Sequence, residues 1–330
     1  MVDRCFACAH PKELTLEHII PQAVGGKLKA YLYCRECNDQ FGREIDAEIS
    51  KQFGKIATLL NIKRERGETQ PFKVTETSAG TELVFDGKDL TRERPVIKVS
   101  SKDGKKLDAA DITARSKKEL QEIWASIQAR YETSSEMKPF QEAHPGPPDV
   151  TYKITIDNVL LRRAIAKIAY SFLCVKVHKD IVFSSAFDGT RSYIRDGKGS
   201  DLSHANFVHT QFMTDSVRLL HKIHVAFNRD EKMVVGYVSI FGIYRFTVLL
   251  SDSFSSQLEW ADLDYTFDPV CLQEVFGNER FRAPNISKQD VLQPKQSREL
   301  VLAELSEGYK IIEDYVDNYQ FIRRSLTDRT

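Results

Sequence analysis

Residues 17–26 read EHIIPQAVGG, and they lie between two Cys-x-x-Cys pairs, Cys5/Cys8 and Cys34/Cys37. Leu14 and Leu16, followed by Ile19 and Ile20, suit a short strand that Pro21 terminates, and Gly25-Gly26 allows the chain to reverse. The second pair runs on through Asn38 into NDQFGREIDAEISKQFGKIATLLNI. There Phe41, Ile45, Ile49, Phe53, Ile56 and Leu60 recur at three- and four-residue intervals, which predicts a helix bent at Gly54. The first 70 residues therefore read as strand, loop, strand, helix, with a cysteine pair at each end.

A gap of two residues lets a tight turn aim both sulfurs at one ion. Two such turns complete the tetrahedron that zinc accepts. A closed four-sulfur shell leaves no position for water, so this zinc is expected to be structural and to supply folding energy to a module with little core of its own. His10, beside the first pair, reads as a bystander. Cys174 and Cys271 lie alone in apolar segments and read as buried small hydrophobes. In the 330-residue chain, Lys plus Arg equals Asp plus Glu at 47 each, so no global basic field marks a nucleic-acid partner. No run of 18 apolar residues and no apolar leader is visible, so a cytoplasmic protein without a membrane span is expected.

With C-x-x-C, Glu17-His18-Ile19-Ile20-Pro21, Gly25-Gly26 and C-x-x-C-Asn38 in order, the first 60 or so residues resemble the HNH endonuclease family in its zinc-bound form, a ββα-metal fold. The resemblance implies a metal-dependent phosphodiester hydrolase acting on DNA, with RNA as the other substrate that fits. It makes His18 the general base, and Glu17 and Asn38 the oxygen ligands of a catalytic Mg2+ or Mn2+. The family's middle Asn has no counterpart, since the segment before the second pair reads KLKAYLYC. The chemistry is coherent without the family name: an imidazole with a pKa near 6.5 can activate water, and hard oxygen ligands suit Mg2+. Adjacent residues on a straight strand point to opposite faces, so a twisted strand end before Pro21 is expected to bring Glu17 and His18 together. Asp46 reads as a helix-surface acid ahead of the other reading, a support behind the metal ligands.

Lys27, Lys29, Arg35, Arg43, Lys63 and Arg64 are the candidate phosphate contacts. Residues 1–70 hold 11 basic and 10 acidic side chains, so the module should hold DNA weakly and with strong salt dependence.

Beyond it, residues 71–135 read as a small β-rich region with a helix from 116 to 131 capped by Ser116. Residues 136–150 form a Pro-rich linker, and 151–330 a C-terminal α+β domain for recognition or regulation. That domain is expected to hold a helix at NVLLRRAIAKIAYSFLCVKV and an anion-binding or surface loop at FDGTRSYIRDGKGS. Strands follow at NFVHTQFM, HKIHVAFN, MVVGYVSIFG and YRFTVLLS, the last two central in the sheet, and a long C-terminal helix packs back on it. His221 and His224, three apart on one strand, should face opposite ways. The fold class is thus α+β, a zinc-stabilised ββα-metal module followed by a mainly antiparallel sheet with packed helices. In architecture the chain looks like a bacterial defence or restriction-type effector, open to a protein or small-molecule activator and to homodimerisation. The rival readings are a zinc-stabilised nucleic-acid-binding protein that does not cleave, and a sensor or scaffold dominated by the C-terminal domain.

Overall fold

The computed structural model describes residues 2–65, 69–78, 80–101, 103–114, 116–132, 149–153, 158–199, 218–254, 263–275, 287–292 and 298–327. The Pro-rich linker and the strand expected at NFVHTQFM lie outside them. The chain forms two compact units: residues 1–69 together with 155–330, and residues 70–154.

In the first unit, β1 (Val2–Arg4), β2 (Pro11–His18) and β3 (Lys29–Cys34) make an antiparallel sheet in that order. A 3-10 turn, Gln22–Val24, leads into Gly25 and Gly26 between β2 and β3. A Cβ at Gly26 would stand 1.9 Å from the carbonyl oxygen of Ile20, and one at Gly25, where φ is +93°, would meet Ile62 and Pro269 at 2.8 and 2.9 Å. The two glycines are thus fixed by close approach as well as by the reversal.

Helix α1 (Arg35–Phe41) continues through a π-helical stretch, Gly42–Asp46, into α2 (Ala47–Leu59). Phe41, Ile45, Ile49, Phe53, Ile56 and Leu60 are all buried. The irregularity falls at residues 42–46 rather than at Gly54. The spacing explains it: steps of four on a 3.6-residue helix drift by about 40° each. One wider turn near the start takes up that drift and keeps the row facing the core.

The second unit has β4 (Phe72–Glu76), β5 (Glu82–Phe85), β6 (Leu90–Arg92), β7 (Val96–Ser100), β8 (Ala109–Thr113), α3 (Lys117–Arg130) and β9 (Val150–Thr151). Strands order β6-β5-β4-β9 around Phe72, Val74, Leu83 and Phe85, while β7 and β8 pair separately. Ser116 caps α3 by accepting the amide of Glu119.

Returning to the first unit, α4 (Asn158–Lys176) runs through its centre, with Leu161, Ile165, Ile168, Ala169, Phe172 and Leu173 buried. After α5 (Lys179–Val182), the segment expected to be a Gly-rich loop is instead helix α6 (Asp188–Asp196), ended by left-handed Gly197. Arg191 on α6 is buried and donates to the carbonyls of Val182 and Ser184 and to Asp188, so it is tied down and does not wait for an anion.

Strands β10 (His221–Asn228), β11 (Met233–Ile240), β12 (Tyr244–Ser251), β13 (Leu263–Asp268) and β14 (Gln273–Glu274) form an antiparallel sheet in the order β12-β11-β10-β13-β14. Among the described residues β12 is an edge strand, not a central one. Its burial comes from α4 and α6, α7 (Lys288–Leu292) and α8 (Arg298–Thr327), not from a second strand. Strand β13 escaped sequence reading because its DLDYTFD pattern carries too many acids. Gly236 on β11 sits where a Cβ would be 2.7 Å from Ala169, so the missing side chain lets α4 lie directly on the sheet. Cys174 is buried but Cys271 is exposed, since it follows the β13 turn.

His221 and His224 have separate partners. His224 meets Asp264 at 2.6 Å. His221 accepts from the amide of Phe241 and donates from Nε2 to the carbonyl of Val24 at 2.8 Å, tying the turn before Gly25 to β10. Burial pushes its pKa down from 6.5 to about 4. The folded state therefore binds fewer protons than the unfolded chain between those values. The stability is present above pH 6.5 and is lost as pH falls toward 4, by about 3 kcal/mol. Urea midpoints from pH 7 to 4 should show that loss, and His221→Gln should remove most of it.

Candidate active site and metal centre

The four cysteine sulfurs lie within 4.8 Å of one another, and among the described residues they form the one metal-type cluster. Four thiolates around zinc at 2.3 Å would lie roughly 3.8 Å apart, so the cluster is already close to that geometry. Cys5 and Cys8 sit in the β1–β2 turn, where Ala9 takes a φ of +61° and returns its amide to the carbonyl of Cys5. Cys34 ends β3 and Cys37 lies one turn into α1, so the helix start aims both sulfurs inward. The amide of Cys34 donates to Cys5 Sγ at 3.3 Å. The Cys37 thiol and neighbouring amides bring the Cys5 pKa down to about 4, while Cys37 itself is driven up. A set of sulfurs sharing protons in this way is suited to a cation, and the cluster fits a structural zinc. His10 is exposed and outside it.

Glu17 and His18 are the last two residues of β2, and the ladder there is regular: Glu17 opposes Ala30 and His18 opposes Lys29. The bulge lies upstream, at Thr15 and Leu16, so the expected kink before Pro21 is not where the strand bends. The two side chains leave by opposite faces.

Glu17 points inward. It is 9% exposed and hydrogen-bonded to the side chain of Asn38, whose Nδ2 also donates to Thr15 Oγ1 at 3.0 Å. Helix α1 packs on this face of the sheet and so brings Asn38 to Glu17.

Sequence reading missed one further member of the cluster, Lys167, and placed another, Asp46, on the helix surface. Lys167, on α4 and fully buried, is ion-paired to Glu17, and its Nζ also lies 2.8 and 2.7 Å from the two carboxylate oxygens of Asp46. Asp46 is therefore an ion-pair partner and not a free surface acid. Desolvation works against the Lys167 charge, but the two carboxylates outweigh it and hold the ammonium protonated. Burial pushes the Glu17 carboxyl up, against the pull of Lys167. Carboxylate and amide oxygens make a donor set that suits a hard divalent ion. In this structure an ammonium already occupies the cation's side of that set.

His18 faces the other way. Its Nε2 lies 3.6 Å from Glu65, which also pairs with Lys29 at 2.6 Å and Lys27 at 3.5 Å. Burial and then the Lys29 charge hold the imidazole pKa below 6.5, while Lys29 holds the Glu65 carboxyl down at about 2. Two of the six candidate phosphate contacts, Lys27 and Lys29, thus stand beside His18. Arg35 and Arg43 are exposed on the helix and Lys63 is exposed beyond it. Arg64 is part-buried, with Nη2 inaccessible and its pKa lowered by burial.

Residues 5–54 match a family model described as HNH endonuclease. No curated protein and no solved structure matches the chain. The N-terminal segment is thus an HNH-type module, which assigns nuclease-type function in general and a nucleic acid as the class of partner. No helix among the described residues is long and apolar enough to cross a membrane.

Native mass spectrometry should find one zinc per chain, lost in Cys37→Ser. A structural zinc site is worth about 10–16 kcal/mol, as much as the whole stability of an ordinary domain, so chelation should unfold residues 2–65 first. Hydrogen exchange across those residues is the readout.

Proposed function

We propose that the chain is a metal-dependent HNH endonuclease that hydrolyses phosphodiester bonds of DNA. His18 is the general base, and Glu17 and Asn38 are the oxygen ligands for Mg2+ or Mn2+. The observation that supports this reading most is the division of labour at the end of β2: a carboxylate held against Asn38 next to an imidazole kept neutral beside two lysines.

An imidazole whose pKa lies below 6.5 is unprotonated at neutral pH, so His18 can take a proton from water without first losing one. Lys27 and Lys29 now share the Glu65 carboxylate. A substrate phosphate carries the same sign of charge as Glu65 and would exchange with it, bringing the phosphodiester to the imidazole. A divalent ion on Glu17 and Asn38 would neutralise charge on that phosphate and on the leaving 3'-oxygen once the end of β2 turns so that the two side chains, which leave by opposite faces here, meet one phosphodiester. Asn38, itself bonded to Thr15, orients Glu17, and the cysteine knot holds the starts of β2 and α1 in place. Residues 151–330 serve recognition or regulation in this reading, which suits a defence or restriction-type effector that responds to an activator.

One observation favours the rival, a nucleic-acid-binding protein that does not cleave: the Glu17 carboxylate is already neutralised by Lys167. Plasmid nicking in Mg2+ or Mn2+ separates the two. Wild type should nick, and His18→Ala should be slower by about 10²- to 10⁴-fold. Equal nicking by both proteins would remove His18 from the mechanism. Binding of DNA without nicking by wild type would favour the rival. The rate should rise with pH and level off by pH 7, because the base is already deprotonated there.

A further inference from the structure

Lys167 and Asp46 have no part in that chemistry, yet with Glu17 they make a heavily desolvated charged cluster in contact with the motif. Lys167 lies 113 positions beyond the end of the matched segment, and it reaches the module because α4 packs against β3 and the π-helical turn. Its side chain is 1% exposed, with Nζ bonded to Glu17 and to both oxygens of Asp46, and it lies 5.5 Å from the centre of the Phe41 ring. One ammonium against two carboxylates leaves the cluster with more negative than positive charge. It remains a seat for a cation, and Asp46 extends the oxygen set beyond Glu17 and Asn38.

We propose that Lys167 is an internal cation that occupies the catalytic cation seat, and that a divalent ion must compete with it for Glu17, with Asp46 as a further oxygen ligand once the lysine withdraws. This rests on the assignment of Glu17 as a metal ligand. The structure is then the closed state of the nuclease, and α4 is the element that closes it. The same helix is anchored to the module at three other points: Ser171 Oγ to Tyr33 at 2.6 Å, Tyr170 to the carbonyl of Phe6 at 3.1 Å, and Arg163 to Glu44 at 2.9 Å. A shift of α4 therefore moves the lysine and the module's supports together, so whatever acts on residues 155–330 can act on the seat.

The test is metal uptake by the zinc-loaded full chain, followed by electron paramagnetic resonance of Mn2+. Lys167→Met keeps the length and apolar stem of the side chain and removes its charge. It should take up one Mn2+ at a concentration at least tenfold lower than wild type, and adding Glu17→Gln should abolish that uptake. Equal, Glu17-dependent uptake by wild type and Lys167→Met would overturn the competition and leave the ligand assignment standing. Absence of Glu17-dependent uptake in either protein would overturn the ligand assignment and the proposal with it. A second measurement needs no variant at position 167: acetylation of Lys167 in wild type, read by mass spectrometry, should be slow without Mn2+ and should speed up as Mn2+ binds. An unchanged rate at saturating, Glu17-dependent Mn2+ would sink the proposal even if Lys167→Met does not fold.

Discussion

A fully buried ammonium must be matched by carboxylates or it is not tolerated, and Lys167 sets that condition at the centre of the larger unit. Satisfying it requires Glu17 from the end of β2 and Asp46 from the end of the π-helical turn to meet one point on α4. Those two positions fix how the strand pair and the helix of the HNH-type module are seated. The wide turn at residues 42–46 gains a second reason from this. It keeps the apolar row inward, and it delivers Asp46 to the lysine.

The module is accordingly continuous with the C-terminal sequence and does not stand on the cysteine knot alone. Tyr33 and Phe6 meet α4, Val24 is held by His221, and Gly25 is pressed against Pro269. Each of these contacts is buried, and each joins residues more than 130 positions apart. Their combined effect is a nuclease-type module whose two faces report to different neighbours. The Glu17 face reports to α4, and the His18 face to Glu65 and the two lysines. Each face carries an internal counter-charge, Lys167 against Glu17 and Asp46 on one and Glu65 against Lys27 and Lys29 on the other.

Much of the module was legible in its residues. Paired cysteines two apart, an acid-histidine step ending an alternating apolar run, and paired glycines are local signals, each with a local physical cause. The helical face from Phe41 to Leu60 was equally plain, because its period is a property of consecutive residues. The errors share one source as well. Residues 187–200 read as a loop because of their glycines and charges, but burial of Arg191 against backbone carbonyls makes a helix there. Strand β12 read as central because it is apolar on both faces, although helices and not a neighbouring strand cover it.

The amino-acid order by itself determined the zinc-type knot, the strand-turn-strand-helix of the module, the α+β class and the identity of Glu17, His18 and Asn38 as candidates. The knot and the elements depend on spacing within a few turns of chain, where geometry follows directly from backbone periodicity, while the three candidates rest on the resemblance to the HNH family. Tertiary structure alone decided that Glu17 and His18 part company, that Asp46 is an ion-pair partner, and that Lys167 and Glu65 are the charges standing in the site. A lysine 150 residues from the carboxylate it neutralises leaves no trace in local pattern. Only the path of α4 through the core determines which charge it meets.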